Sequence, residues 1–168
     1  MSNESASPAD RPHIPHPTPH IPPAGRLLGL DFGTKRVGVA VSDVDQRFTA
    51  PLGMFVRSSA VADAAALLRF VDENDAVGLV VGLPVHMSGD EGGKARQARE
   101  FGTWAGRAVG LPVAYWDERH TSTIAGGYLF GLPEKKQKAR LDALAAQIML
   151  RAYLEAPDRT LWTSREVE

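Results

Sequence analysis

The sequence contains no cysteine in its 168 residues. Disulfides, thiolate metal sites and thiol nucleophiles are therefore excluded, and a reducing compartment is compatible with the rest of the chain. Long apolar runs are also missing. None approaches the roughly 20 residues that a membrane span needs, and the N-terminus lacks the apolar core of a signal peptide. These absences lead us to expect a cytoplasmic protein with no membrane partner.

An excess of one charge is absent as well, and aromatic residues are few. The net charge is -1 and aromatic residues make up 7% of the chain, so any attraction to nucleic acid must come from local clusters of Lys and Arg. Two common catalytic motifs are also missing. Without the Walker spacing and its Lys-Ser/Thr ending a P-loop nucleotide site is not expected, and without Gly-x-Ser-x-Gly a serine-hydrolase site is not expected.

Composition divides the chain into three parts. Residues 1–24 hold seven of the twelve prolines and three of the five histidines, with almost no apolar periodicity, which predicts a disordered tail. Residues 25–156 have the length and patterning of a single domain with one core. Residues 157–168 are predicted to form a C-terminal tail.

The apolar pattern of the domain predicts an α/β fold with a mixed five-stranded sheet. Two apolar runs joined at Gly33 predict an antiparallel hairpin that leads a group of three strands, and two later runs are typical of parallel strands. Helices are expected on both faces. The five strands are predicted near residues 27–30, 37–41, 52–56, 77–81 and 111–116.

Helical spacing predicts three main helices and a weak one that contains Ile124 and Leu129. The first begins after Ser59 and the last begins at about Ala139, after a basic connector. The apolar residues predicted to face inward are Val61, Ala64, Leu68 and Val71 in the first, Ala98, Phe101, Ala105 and Ala108 in the second over residues 93–109, and Leu141, Leu144, Ala145, Ile148 and Ala152 in the last.

Acidic residues occur at the ends of two predicted strands and near the start of the last predicted helix. Asp31 and the pair Asp117-Glu118 are expected at the carboxyl edge of the sheet, where ligand sites collect. Each acid has a structural alternative: Asp31 could form a turn, and Asp142, placed in the first helical turn, could stabilise the helix dipole by roughly 0.3–1 kcal/mol. Together they are hard oxygen ligands of the type that binds Mg²⁺ or Mn²⁺. A metal-assisted hydrolysis of phosphodiester bonds is the chemistry that such a set favours.

Basic residues are expected in loops around the same edge. The stretch from Glu134 to Arg140 alone carries a net charge of +3. Solvated lysines that contact nothing are the structural alternative, but this position favours contact with the phosphates of an anionic substrate. The residues are Lys35, Arg36, Arg119, Lys135, Lys136, Lys138 and Arg140.

The chain resembles the YqgF (RuvX) family of Holliday junction resolvase-like proteins and pre-16S ribosomal RNA nucleases. The resemblance covers about residues 26–155, and the matching segments occur in the family's order. They are Leu30-Asp31-Phe32-Gly33-Thr34-Lys35-Arg36-Val37-Gly38 through Asp43, Gly82-Leu83-Pro84 through Gly92, Asp117-Glu118-Arg119-His120-Thr121-Ser122-Thr123, and Leu141-Asp142-Ala143-Leu144-Ala145-Ala146. The N-terminal tail and His120 depart from the family pattern.

The resemblance implies an RNase H-like fold and a divalent-metal nuclease that matures the 5′ end of pre-16S rRNA. By position, it implies that Asp31, Glu118 and Asp142 are the catalytic metal ligands, with Asp117 as the alternative to Glu118. Lys35, Arg36 and Arg119 would face the substrate, and Lys136 and Lys138 join them by their position in the basic stretch. Partners would be nucleic acid and ribosomal particles.

Other functions remain open at this stage. The Asp31-x-Gly33-Thr34 turn also resembles the phosphate loop of the actin, Hsp70 and sugar-kinase group, although such proteins normally need two copies of the core. A non-catalytic RNA-binding assembly factor is a second alternative. A Holliday junction resolvase acting on branched DNA is a third, and it would be expected to work as a symmetric homodimer.

Overall fold

A computed structural model of the chain describes residues 20–84, 92–117, 133–157 and residue 159. The described residues form one sheet and three helices. The strands are β1 (Leu27–Phe32), β2 (Arg36–Ser42), β3 (Thr49–Val56), β4 (Gly78–Leu83) and β5 (Val113–Asp117), and the helices are α1 (Ala60–Asn74), α2 (Gly93–Val109) and α3 (Glu134–Glu155). No described helix is both long enough and apolar enough to span a membrane. The predicted weak helix with Ile124 and Leu129 lies outside the described residues.

The strand order of the sheet is β3-β2-β1-β4-β5. Strand β2 pairs antiparallel with both β1 and β3, whereas β4 pairs parallel with both β1 and β5. This is the order of an RNase H-like sheet, so the predicted fold class is confirmed. The antiparallel hairpin lies next to the parallel strands because β1 belongs to both parts.

Alternating residues of the strands cover the two faces of the sheet. On one face Leu28, Leu30 and Leu79 pack with residues of α1 and α2. On the other face Leu27 and Val80 pack with residues of α3. Helices therefore cover both faces, as predicted, and each strand residue can be assigned to the α1/α2 face or to the α3 face.

The predicted start of α1 and the predicted end of α2 are confirmed by their caps. The Ser59 hydroxyl accepts a hydrogen bond from the Ala62 amide at 3.2 Å, and Asp75 ends α1 in the left-handed conformation. Gly110 ends α2 with φ +71, a conformation that glycine adopts without steric cost.

The buried face of α1 differs from the prediction. Val61 is 82% exposed and Leu68 is 37% exposed, whereas Asp63 and Leu67 are buried beside Val71. The buried face differs from the predicted one because the Asp63 side chain points inward. Its carboxylate accepts a hydrogen bond from the Ser58 amide at 2.9 Å and forms an ion pair with Arg57 at 3.5 Å. A polar residue can be buried when its acceptors are satisfied in this way.

Helix α3 begins five residues earlier than predicted and buries a different face. The predicted connector forms its first turns, which consist of good helix formers and contain a Glu134–Lys138 ion pair at 3.6 Å. Leu141 is 38% exposed. The buried residues are Ala143, Ala146, Met149, Leu150, Tyr153 and Leu154.

Segments on both sides of the predicted domain also contact it. Ile21 packs against the α3-side core, four residues before the predicted boundary at residue 25. Arg159 donates to the Leu154 carbonyl at 2.8 Å and to the Gln46 side chain at 2.8 Å, beyond the predicted boundary at residue 156.

Candidate active site at the carboxyl edge of the sheet

Asp31 lies near the carboxyl end of β1 and is partly exposed. Its partner in the antiparallel pair is Gly38 of β2. Leu27 and Gly29 of β1 face α3, as shown by the core contacts of Leu27 and by Leu150 beside Gly29. Since strand residues alternate, Asp31 projects on the α3 side as well.

Gly38 allows the backbone of α3 to approach the sheet closely. A Cβ atom at this position would lie 2.0 Å from the Asp142 carbonyl oxygen and 2.4 Å from its carbonyl carbon, which is far below van der Waals contact. Only glycine fits there. The short contact places Asp142 beside β2 next to Asp31, so two of the three predicted acids come to the same side of the sheet.

Asp142 is not in the first turn of its helix, as the sequence predicted, because α3 starts at Glu134. It is the ninth helical residue, too far from the N-terminus for a dipole role. Its Oδ2 atom instead accepts a hydrogen bond from Arg36 Nε at 2.7 Å, with side-chain exposures of 23% for Asp142 and 36% for Arg36. The carboxylate is thus oriented by the first residue of β2.

Asp117 ends β5 at the same edge but on the other face. Ala114 and Trp116 pack on the α3 side, so alternation puts Asp117 on the α1/α2 side, where it is 1% exposed. Asp117 is therefore separated from Asp31 and Asp142 by the sheet. Glu118, the other predicted ligand, lies outside the described residues.

The donor set bears on the implied metal ion. Asp31 and Asp142 supply carboxylate oxygens on one side of the sheet, and such oxygens suit Mg²⁺ or Mn²⁺. Within residues 20–84, 92–117 and 133–157 no group of three His, Asp or Glu side chains is close enough to hold a metal. The two described acids have the oxygen donors that a hard cation prefers.

The predicted substrate-binding residues differ in their surroundings. Lys35 is exposed in the turn between β1 and β2, whereas Arg36 is paired with Asp142. Lys136 and Lys138 are not in a loop, as predicted, but on the exposed surface of α3, and Lys138 pairs with Glu134. Arg119 lies outside the described residues.

A groove between β3 and α3 was missed by the sequence reasoning. Lys136 and Arg140, one helical turn apart, line it together with Leu52 and Gly53, and its volume is about 410 Å³. It lies on the α3 side of the sheet, where Asp31 and Asp142 also lie. Lys136 and Arg140 are four residues apart, so a helix predicted to begin at Glu134 would have put them on one face.

Residues 25–156 match the model of the RuvX family, which is described as Holliday junction resolvase. Curated relatives named "Putative pre-16S rRNA nuclease" match most of the chain. The relative from Rhodopirellula baltica is 37% identical over 81% of this chain and 80% of its own length. The relative from Koribacter versatilis is 40% identical over 78% and 87%, and that from Paracoccus denitrificans is 41% identical over 80% and 87%.

Two solved structures of RuvC are similar to the chain. Thermus thermophilus RuvC in complex with Holliday junction substrate covers 77% of this chain and 94% of its own, with 16% identity and a TM-score of 0.45. Another Thermus thermophilus RuvC structure covers 76% and 94%, with 16% identity and a TM-score of 0.47.

Proposed function

This chain belongs to the RuvX family of nucleases over residues 25–156, and on that premise we propose that it is a divalent-metal-dependent endonuclease that hydrolyses phosphodiester bonds. The predicted family and the predicted enzyme class, a hydrolase that acts as a nuclease, are both in agreement with this membership. The sugar-kinase alternative is not supported, because the family match spans the whole domain.

The proposed substrate is the precursor of 16S rRNA, cleaved during maturation of its 5′ end. The names of relatives at 37%, 40% and 41% identity support this choice. The activity would be cytoplasmic and part of ribosome biogenesis, with ribosomal particles as partners. The exposed Lys35, in the turn after β1, and Lys136, on α3, supply local positive charge despite the net charge of -1.

The single observation that supports the proposal is the close approach of the Asp142 backbone to Gly38, the residue that pairs with Asp31 in the sheet. The two acids are 111 positions apart in the chain, and the glycine lets α3 lie against β2 on the side to which Asp31 projects. A carboxylate on a half-buried sheet face has a desolvation cost. A role as ligands of the same metal site would account for the Asp31 and Asp142 carboxylates on one side of the sheet.

Asp31, Glu118 and Asp142 would hold Mg²⁺ or Mn²⁺. When bound, such ions supply a more acidic water and stabilise charge on the leaving oxygen. The Arg36 guanidinium holds the Asp142 carboxylate in one orientation and offsets part of the negative charge of the site. Lys35, Lys136, Lys138 and Arg119 would attract the phosphates of the strand.

The test compares the wild-type protein with Asp31→Asn and Asp142→Asn on labelled RNA that carries the precursor 5′ end. Cleavage is measured with Mg²⁺, with Mn²⁺ and with EDTA. We expect metal-dependent cleavage by the wild type and a loss of about 100-fold or more in each variant, since removing a metal ligand should exceed the 10–100-fold typical of a change in a supporting residue. Asp45→Asn, which removes a carboxylate from the exposed β2–β3 turn, is the matched control and should cleave normally.

A four-way DNA junction is the second substrate of the same assay. The description of the matching family as Holliday junction resolvase favours this alternative. Preferential, symmetric cleavage of the junction by a homodimer would replace the rRNA proposal. Binding of RNA without cleavage of either substrate would instead indicate a non-catalytic assembly factor.

A further inference from the structure

A cavity opens on the α1/α2 side of the sheet, away from the acids. Its volume is about 460 Å³, within the range of small-molecule sites. Phe32 follows Asp31 at the end of β1 and forms part of the wall, while Phe101 and Trp104 contribute from α2 and Arg57 from the segment before α1. Three aromatic rings and one guanidinium thus form part of the wall.

The rings and the guanidinium are arranged as stacking surfaces. The Phe32 and Phe101 centroids are 5.0 Å apart with planes tilted by 34°, and those of Phe101 and Trp104 are 5.7 Å apart with a tilt of 40°. The Arg57 guanidinium carbon lies 5.1 Å from the Phe32 centroid and 5.5 Å from that of Phe101. Phe101 is only 4% exposed, and Arg57 already lies over the Phe32 and Phe101 rings. A planar ring that enters the cavity would therefore meet the half-buried Trp104 ring or the Arg57 guanidinium, and both kinds of group bind bases.

Arg57 supplies the positive charge of the wall. Its Nε atom is buried, has no hydrogen-bond partner among the described residues, and lies 3.5 Å from the Asp63 carboxylate in an ion pair. The side chain as a whole is 31% exposed, so a ligand in the cavity would meet other atoms of the guanidinium. Gln97 and Ser58 add polar groups to the wall, which could meet the edge of a heterocycle.

The charges of the wall select the class of ligand. Asp63 offsets Arg57, and Glu100 adds a further negative charge. With a formal total of -1, the cavity would repel a free phosphate but accept a neutral ring. A nucleobase has this property, and its phosphate would remain outside.

The cavity and the acids share one end of β1. Asp31 and Phe32 are consecutive, so their Cα atoms are about 3.8 Å apart, yet alternation sends Asp31 to the α3 side and Phe32 to the α1/α2 side. We propose that this cavity binds one unstacked nucleobase of the nucleic-acid strand, on the face of the sheet opposite to Asp31 but at the same end of β1. The inference rests on the proposed nuclease function and deepens it, because it gives the site a preference for single-stranded segments.

The test measures binding of a labelled single-stranded RNA octamer to the full-length protein in EDTA, so that binding is separated from cleavage. Each nucleotide is replaced in turn by an abasic one. We expect one position at which the abasic strand binds about 5- to 150-fold more weakly, the range for loss of one stacked base. Trp104→Leu should weaken the intact strand to a similar extent, whereas Trp104→Phe, which keeps an aromatic ring, should bind nearly as the wild type does.

The two changes should not be additive if they affect one contact. With Trp104→Leu, the abasic position should then cost no further affinity. Equal losses at every abasic position, or the same loss for intact and abasic strands in Trp104→Leu, would overturn the proposal and leave the cavity to another kind of ring, such as an aromatic side chain of a protein partner.

A second variant protects the test against misfolding of Trp104→Leu. Ala60 is exposed at the start of α1 and lines the cavity, so Ala60→Trp should fill it without removing a core side chain and should abolish the base effect. Normal base-dependent binding by Ala60→Trp would contradict the proposal. If the wild type binds one abasic strand more weakly but does not cleave RNA, the nuclease proposal fails and the cavity proposal stands. If it cleaves RNA but binds all abasic strands equally, the cavity proposal fails and the nuclease proposal stands.

Discussion

At the scale of single residues, the contact between Gly38 and the α3 backbone gives a sharp prediction. Gly38→Ala would place a methyl group 2.0 Å from the Asp142 carbonyl oxygen. The obstacle is backbone rather than a flexible side chain, so α3 or β2 must shift. We expect a loss of about 1–3 kcal/mol or more in the free energy of unfolding, measured by urea denaturation, together with loss of cleavage.

Gly93→Ala is the matched control for that substitution. Gly93 is the first residue of α2, and a Cβ atom there would meet no atom of the described residues within 4 Å. The same chemical change should therefore leave the free energy of unfolding equal or raise it by about 0.4–1 kcal/mol. Equal destabilisation by the two variants would contradict the close approach of α3 to β2.

Arg36 was predicted to face the substrate, yet it pairs with Asp142. Because both side chains are partly exposed, Arg36→Gln should cost at most about 1 kcal/mol of stability. If Arg36 also contacts a phosphate, this variant should reduce the slope of log K against log salt for RNA binding by about 1. An unchanged slope combined with slower cleavage would limit Arg36 to positioning Asp142.

At the scale of elements, periodicity predicted the number and order of the described strands and helices but not every buried face. The face of α1 was wrong because Asp63 is buried through its contacts with Ser58 and Arg57, and apolar spacing carries no signal for a buried acid. The start of α3 was wrong because the stretch from Glu134 to Arg140 contains no apolar stripe. Lysines on the exposed side of a helix resemble a solvated loop.

The turn between β2 and β3 gives a pH prediction. The amides of Phe48 and Arg47 donate to the Asp43 carboxylate at 2.9 and 2.8 Å, and these bonds lower the pKa of Asp43 below its usual value of 3.8. A lowered pKa in the folded state means that Asp43 stabilises the fold above about pH 4, and that this contribution is lost as the pH falls through the folded pKa.

Asp43→Ala should therefore lower the free energy of unfolding at pH 7, and the difference from wild type should shrink on acidification below about pH 4. Denaturation at a series of pH values measures both. Asp45→Ala removes the same charge from the same turn and is the control for a purely electrostatic effect. If both variants show the same profile, the hydrogen bonds of Asp43 are not the cause.

At the scale of the whole molecule, the sequence predicted that acids from distant segments meet at the carboxyl edge of the sheet. Strand alternation and the Gly38 contact put Asp31 and Asp142 on the same, α3 side of the sheet, whereas Asp117 lies on the other face. That the acids form one site stays a prediction. The choice between Asp117 and Glu118 as the second metal ligand depends on which face of the sheet each residue occupies at the end of β5. Only the pairing register and the packing of Trp116 decide that for Asp117, and Glu118 remains a prediction.

The end of the sheet opposite the acids is held by contacts between three distant segments. The Gln46 side chain is 3% exposed, donates to the carbonyls of Pro22 and Gly25 at 2.8 and 3.0 Å, and accepts from Arg159 at 2.8 Å. Arg159 also lies over the Tyr153 ring at 5.6 Å. One glutamine thus connects the segment before β1, the β2–β3 turn and the residues after α3.

Arg159→Ala should accordingly lower the free energy of unfolding by about 1–3 kcal/mol, because it removes two hydrogen bonds of a charged donor and leaves a buried acceptor on Gln46. Hydrogen exchange should become faster at the residues around Gly25 and Gln46, whereas exchange in the β1 and β4 core should follow only the global stability. Arg151→Ala, which breaks an exposed ion pair with Glu155 at 3.0 Å, is the control and should change stability by less than about 1 kcal/mol. If Arg159→Ala also lowers the free energy of unfolding by less than about 1 kcal/mol, the contacts of Arg159 do not stabilise the domain.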